Sequence, residues 1–234
     1  MSTPNPSNTS GAYQFSPGMG EAVAFAFGLC GVRRTALLQE HFEDARMATN
    51  LLMGEWSANG VNLWQVDLER IPLIQGCPTY PVPSNTIVML DMYCTFNNGQ
   101  QEIDRIMTPI SRTEYASYPN KKQQGMPTTV WFNRLLSPTA NLWPCPDGRQ
   151  ACFKYYRLRQ TQDSNLANGQ NVEIPVYFQN AYAFGLAEVL SYSWAPDKTP
   201  MLKMKAAETF GIASRQNVEQ ANIYISPMIS GYFR

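Results

Sequence analysis

The sequence predicts an α+β protein, in which a discontinuous helical bundle of N- and C-terminal helices carries an inserted antiparallel β domain and extended termini. Three observations support this fold class. Apolar residues recur at helical spacing before residue 60 and again after residue 175. Between these regions, apolar and polar residues alternate in short runs separated by Gly, Pro and Asn. The two ends of the chain are interrupted by turn-forming residues and lack either period.

These patterns divide the 234 residues into four parts. Residues 1–18 are rich in Ser, Thr, Pro and Asn, which predicts a flexible N-terminal arm. Residues 19–62 and 172–222 are expected to form the helical bundle. Residues 63–171 are expected to form the β insert, and residues 223–234 an extended C-terminal tail that is too short to build its own core.

Two helices are predicted in the first bundle segment. The first covers residues 21–30, and Gly31 is expected at its end. The second covers residues 37–58, and Asn59-Gly60 is expected to terminate it. Its apolar residues recur every three or four positions and form a single stripe, which consists of Phe42, Ala45, Ala48, Leu52 and Trp56.

The first half of the β insert contains three predicted strands, near residues 63–73, 86–96 and 101–110. Asn-Asn-Gly at 97–99 predicts a hairpin turn between the second and the third. Ser111 is followed three residues later by Glu114, which is a capping-box spacing and predicts a short helix.

The second half of the insert contains three runs rich in β-branched and aromatic residues, at 128–135, 140–144 and 151–158. Turn residues separate them, and Asp147-Gly148 between the last two is a strong hairpin signal. The three runs therefore predict a three-stranded antiparallel meander.

Two helices are predicted in the last bundle segment. Residues 176–194 are apolar nearly all round, so this helix is expected to be buried on every side. The final helix is expected to begin at Thr199-Pro200. Its predicted inner stripe consists of Met201, Met204, Ala207 and Phe210.

Composition limits the possible functions. Charged residues make up only 15% of the chain, and the 18 cations balance the 18 anions, so no basic stripe indicates nucleic-acid binding. Plentiful aromatic residues on a surface poor in charge favour burial against other chains, with a large aromatic core as the alternative. No apolar run is long enough to span a membrane, and the start of the chain lacks a secretion signal, so we expect the protein to stay in the cytoplasm where it is made.

No motif demands catalysis or a cofactor. Five cysteines without a C-x-x-C spacing, together with one histidine, make a metal site improbable. His41 is expected to be solvated beside Glu40 and Glu43. Glu55 and Glu188 are the carboxylates with apolar neighbours that a glycosidase-type acid would need, although a structural role is favoured for both.

Five segments in a fixed order resemble one protein family. They are LLMGEWSANGVNLW (51–64), ERIPLIQGCPTYPVPSNTIVML (69–90), PISRTEYASYPNKKQQGMPTTVWFNR (109–134), NLWPCPDGRQACFKYYRLRQ (141–160) and VEIPVYFQNAYAFGLAEVLSYSWAP (172–196). Together they resemble the head-to-tail adaptors of short-tailed bacteriophages, also called tail accessory or tail tubular A-like proteins. The resemblance covers about residues 20–215.

The resemblance implies a structural virion protein rather than an enzyme. Such proteins form a closed ring, commonly of about twelve copies, beneath the portal. The ring links the capsid to the tail nozzle, a tail tubular B-like protein, and genomic DNA passes through it without specific binding. The location would be the head–tail junction of the virion, and the host cytoplasm during assembly, with no membrane involved.

The resemblance also suggests that the C-terminal tail docks on the portal. The candidate anchors are its apolar residues, namely Ile223, Tyr224, Ile225, Tyr232 and Phe233. Tyr13 and Phe15 are weaker candidates in the N-terminal arm. Two alternatives stay open, a tail-associated muralytic enzyme that uses Glu55 or Glu188, and a sugar- or peptide-binding β module.

Overall fold

The computed structural model describes residues 17–59, 63–97, 101–165 and 170–217. The helices within these ranges are α1 (Met19–Cys30), α2 (Gln39–Ala58), α3 (Arg112–Ser117), α4 (Gln179–Trp194) and α5 (Thr199–Gln216). The strands are β1 (Val66–Pro72), β2 (Thr79–Pro81), β3 (Thr86–Asn97), β4 (Glu102–Ile106), β5 (Thr108–Pro109), β6 (Gln124–Gly125), β7 (Thr129–Asn133), β8 (Thr139–Trp143), β9 (Cys145–Pro146) and β10 (Gln150–Arg159).

The N- and C-terminal helices pack together, which confirms the predicted discontinuous bundle. Helix α4 lies at its centre, in contact with α1, α2 and α5. Phe27 from α1 and Leu202 from α5 are buried in the same core. Gly185 lets α2 approach α4 closely, since a Cβ atom added there would lie 3.1 Å from Leu52 Cδ2. The bundle thus buries apolar stripes from both ends of the chain.

The ends of the first two helices follow from local chemistry. Helix α1 ends at Gly31, whose φ of 93° is left-handed and whose N–H donates to the Gly28 carbonyl oxygen over 3.0 Å. At the start of α2, the backbone N–H of Leu38 donates to His41 Nδ1 over 3.2 Å. The prediction that His41 is solvated is wrong, because its ring stacks on Trp194 with centroids 4.0 Å apart and is buried.

The two C-terminal helices depart from their predicted burial. In α5 the predicted inner stripe is right only for Phe210, which packs against the core, since the buried residues are Leu202, Ala206, Thr209 and Ala213. Met201 and Met204 point outward instead. The buried residues step by four, three and four and so stay on one side of the helix, the side that packs on α4, whereas the predicted residues step by three and spread round it. Helix α4 is buried over most of its surface, but Tyr192 is exposed.

The insert consists of two four-stranded sheets that share one core. Their strand orders are β1-β10-β3-β4 and β2-β8-β7-β5, and β6 pairs with β9 in a small parallel ladder. Phe153 and Tyr155 from β10 pack in the same cluster as Val130 from β7 and Leu142 from β8. Ser111 caps α3 as predicted, because its Oγ accepts from the Glu114 N–H over 3.1 Å.

The predicted meander is half right. Strands β7 and β8 pair antiparallel, with Val130 opposite Leu142. Strand β10 does not join them and pairs with β1 and β3 instead. Strand β2 already occupies the second edge of β8, through pairs such as Tyr80 with Ala140. Pro144 and Pro146 also lack the N–H groups that a continued ladder requires.

A hydrogen-bonded junction fixes the insert to the bundle. Asn50 of α2 donates from Nδ2 to the Ser164 carbonyl oxygen over 3.1 Å and accepts the Ser164 N–H at Oδ1 over 2.8 Å. Arg159 at the end of β10 forms an ion pair with Glu173, and this hydrogen bond lowers the pKa of the Glu173 carboxyl. Trp64 Nε1 donates to the Glu173 carbonyl oxygen over 3.2 Å. The chain therefore leaves and re-enters the bundle at one place.

Candidate assembly surfaces

The outer side of α2 combines apolar side chains with carboxylates. Met47 and Leu51 lie one turn apart and are 58% and 62% exposed. We define the α2 face as the exposed residues on this side of the helix, namely Glu40, Glu43, Asp44, Met47, Leu51 and Glu55. Arg46 is exposed at the margin of this face, about 60° round the helix from Glu43, and the four carboxylates outnumber it. The α2 face is therefore acidic around an apolar centre.

The outer side of α5 has the opposite charge. Met201, Met204 and Ile212 are each more than half exposed. We define the α5 face as the exposed residues on the side of α5 away from the core, namely Met201, Lys203, Met204, Lys205, Glu208, Ile212 and Arg215. Lys205 Nζ lies 2.8 Å from Glu208 Oε2, so these two charges pair with each other. Lys203 and Arg215 leave the face with a net positive charge.

The two faces are complementary in both polarity and charge. Each presents long, flexible apolar side chains, and Met is suited to surfaces that must fit a partner. The four carboxylates of one face are opposite in sign to the excess cations of the other, which favours contact between them and disfavours contact of either face with itself. Because they belong to different helices of one chain, such a contact would join two copies head to tail.

The tip of the β7–β8 hairpin is a third apolar surface. Leu136 is 99% exposed and Leu135 is 61% exposed. Apolar side chains at a loop tip gain nothing in the isolated chain, and exposed apolar patches mark interaction sites. This surface was not among the predicted sites, although two adjacent leucines before the Ser137-Pro138 turn are a signal for it in the sequence.

An aromatic cluster fastens α3 to the second sheet. Tyr118 stacks on Trp143 with centroids 3.9 Å apart, and Tyr115 lies 5.3 Å from Trp131. Lys121 Nζ donates to the Ala116 carbonyl oxygen over 2.9 Å and lies over the Tyr115 ring. One face of Tyr118 and one face of Trp143 therefore contact each other, which holds α3 against the second sheet.

The predicted anchors of the two termini lie outside the described residues. This applies to Ile223, Tyr224, Ile225, Tyr232 and Phe233 in the tail, and to Tyr13 and Phe15 in the arm. The predicted portal contacts therefore stay predictions.

The two carboxylates considered for catalysis lie in different surroundings. Glu55 is exposed on α2, so the expectation of an apolar setting for it is wrong. Glu188 is half-buried, and Tyr192 Oη lies 3.4 Å from its Oε1. Within the four described ranges, no group of three or more His, Cys, Asp or Glu residues is placed to hold a metal ion.

Comparison with known proteins leaves the family open. The sequence matches no known family model, and it has no significant match among curated proteins. None of the helices in the described part of the chain has the length and apolar character needed to cross a membrane.

Proposed function

We propose that this protein is the subunit of a head-to-tail adaptor ring beneath the portal of a short-tailed bacteriophage, where it links capsid to tail and lines the DNA channel. The observation that carries the proposal is the pair of unlike faces on the bundle, one acidic and one basic, each with an apolar centre. A chain with two complementary faces on different helices associates head to tail, and such a contact closes into a ring when the rotation between copies is suitable.

In this arrangement, the α2 face of one copy packs against the α5 face of the next. Met47 and Leu51 on one side would meet Met201 and Met204 on the other, which removes exposed apolar surface from water. The surrounding charges would fix the register of the contact.

The other surfaces have separate roles in the proposal. The C-terminal tail, with Ile223 to Phe233, would contact the portal protein. Leu135 and Leu136 at the hairpin tip would contact the tail nozzle protein. The zero net charge suits a conduit for genomic DNA, because strong DNA binding comes mainly from Lys and Arg on phosphates. The role requires no cofactor and no catalytic residue, and it places the protein in the virion after assembly in the host cytoplasm.

The test is the native mass of this protein mixed with the purified portal ring of its own phage. A complex that contains about twelve added copies supports the ring. Removal of the residues after Asn222 should prevent this complex if the tail binds the portal. A portal that stays bare while the full-length chain remains monomeric would contradict the proposal, and cell-wall hydrolysis by wild type and by Glu188→Gln would then be the next assay.

The proposed contact between the faces has its own test. The double variant Glu40→Lys/Glu43→Lys should lower the number of copies on the portal, since it brings cations toward a basic face. Adding Lys203→Glu and Arg215→Glu should restore that number. Lys122→Glu, an exposed charge reversal on the insert, is the matched control. If the double variant lowers the number of copies on the portal and the two reversals on α5 do not restore it, the two faces do not meet, even if the ring itself forms.

A further inference from the structure

A groove of about 510 Å³ opens on the surface of the bundle beside α1. Phe25 of α1 forms one wall, and Val172, Ile174 and Val176 from the segment before α4 form another. Phe25 and Val176 are apolar but about half exposed. The volume is within the range of roughly 300–1,000 Å³ typical of sites that enclose a bound group. No described part of the chain fills it.

The N-terminal arm enters the bundle at this groove. Pro17, the first described residue, belongs to its lining. The next residues are held in place, because the Met19 N–H donates to the Gln170 carbonyl oxygen over 2.9 Å and Gly18 forms a β-bridge with Asn171. An extended chain advances at most about 3.6 Å per residue, so Phe15 lies within about 7 Å of Pro17 and Tyr13 within about 14 Å.

The chemistry of the arm matches that of the groove. Residues 1–16 contain no Asp, Glu, Lys or Arg, and their aromatic residues are Tyr13 and Phe15. The groove is mainly apolar, and its lining includes one cation, Arg34, and one anion, Glu21. An uncharged segment with two aromatic anchors can bury those anchors there without leaving a charge unpaired.

We propose that this groove is the docking site of the chain's own N-terminal arm, with Phe15 and Tyr13 as the anchors. The tether at Pro17 makes docking intramolecular, and a short link gives an effective concentration in the millimolar range, so even weak contacts suffice. The C-terminal tail is a poorer occupant, because it carries the cation Arg234, whereas residues 1–16 carry no charged side chain. Docking belongs to the single subunit and needs neither the portal nor the ring.

Crosslinking in the free, full-length subunit tests the proposal directly. Phe15 is replaced by p-benzoylphenylalanine, the protein is irradiated, and the crosslinked peptides are identified by mass spectrometry. We expect crosslinks to the peptides that contain Phe25 and Val176. A mixture of ¹⁵N-labelled and unlabelled protein separates contacts within one chain from contacts between two. Mixed-isotope crosslinks would overturn the proposal in favour of an arm exchanged between copies, and crosslinks confined to other surfaces would overturn it altogether.

Proteolysis provides an independent readout. Chymotrypsin should cleave after Tyr13 and Phe15 at least about fivefold faster in Phe25→Asp/Val176→Asp than in wild type, because undocking exposes the arm. Both replaced side chains are exposed, so the variant should keep its fold, which circular dichroism verifies. Ile106→Asp, at an exposed apolar residue of the insert, should leave cleavage unchanged. Equal cleavage rates in all three proteins would refute docking, while the adaptor proposal would still rest on the portal experiment.

Discussion

Two fully buried tyrosines, one in each core, differ in whether their hydroxyl groups are paired. Tyr182 in α4 has its Oη 2.9 Å from Thr49 Oγ1. Tyr155 in β10 has a buried hydroxyl with no hydrogen-bond partner among the residues that the structure describes. Burial raises the pKa of each phenol to about 12, so both are neutral near pH 7. Replacement by Phe removes the same oxygen from two different environments.

We expect the two replacements to have opposite signs. Tyr182→Phe removes a hydrogen bond and leaves the buried Thr49 hydroxyl without it, so it should destabilise the fold by about 1–2 kcal/mol. Tyr155→Phe removes a hydroxyl whose desolvation is uncompensated, so it should stabilise the fold by up to about 1 kcal/mol. The two free energies of unfolding should therefore differ by about 1–3 kcal/mol.

Urea denaturation of the free subunit at pH 7, followed by far-ultraviolet circular dichroism, measures this difference. The midpoints should move in opposite directions while the slopes stay equal. Tyr192→Phe is the control, because Tyr192 is exposed, and its effect should stay within about 0.5 kcal/mol. If Tyr155→Phe proves as destabilising as Tyr182→Phe, burial of the unpaired Tyr155 hydroxyl does not destabilise the fold, and the reasoning is refuted.

Two further predictions concern the crossing of α2 with α4 and the junction. Gly185→Val should destabilise the bundle by about 1–3 kcal/mol, since its new Cβ would lie 3.1 Å from Leu52 Cδ2. Gly54→Val is the control, because no described atom lies within 4 Å of its new Cβ, and it should change stability by less than about 0.5 kcal/mol. Urea midpoints measure both, and equal effects would contradict the close approach. Because the hydrogen bond from Arg159 depresses the folded pKa of Glu173, its stabilisation is present above the ordinary value of 4.5 and is lost as pH falls through the depressed pKa. Thermal unfolding midpoints should therefore fall less steeply below pH 5 in Glu173→Gln than in wild type, and identical profiles would contradict this contribution.

The helical parts of the fold were predictable because helical spacing is a local property. The stripe on α2, the glycine end of α1 and the Thr199-Pro200 start of α5 all agree with the structure. The candidate surfaces were less predictable. Met201 and Met204 were expected in the core, yet their exposure is what forms the α5 face. The predicted residues step by three and drift round the helix, whereas Leu202, Ala206, Thr209 and Ala213 step by four, three and four, which is closer to the helical period.

The sequence by itself determined the class of the fold and the order of its helices and longer strands, since these depend on periodicity, turn residues and caps within short windows. The short strands β2, β5, β6 and β9 were not predicted as separate strands. Only the tertiary structure decided which distant segments meet. The turn at Asp147-Gly148 suggested that β10 would pair with β8. Strand β2 occupies that edge of β8, and β10 lies between β1 and β3 instead. His41 is buried because Trp194, more than 150 residues later, stacks on its ring. Such pairings depend on how well separated surfaces fit together, and that fit leaves no local signal in the chain.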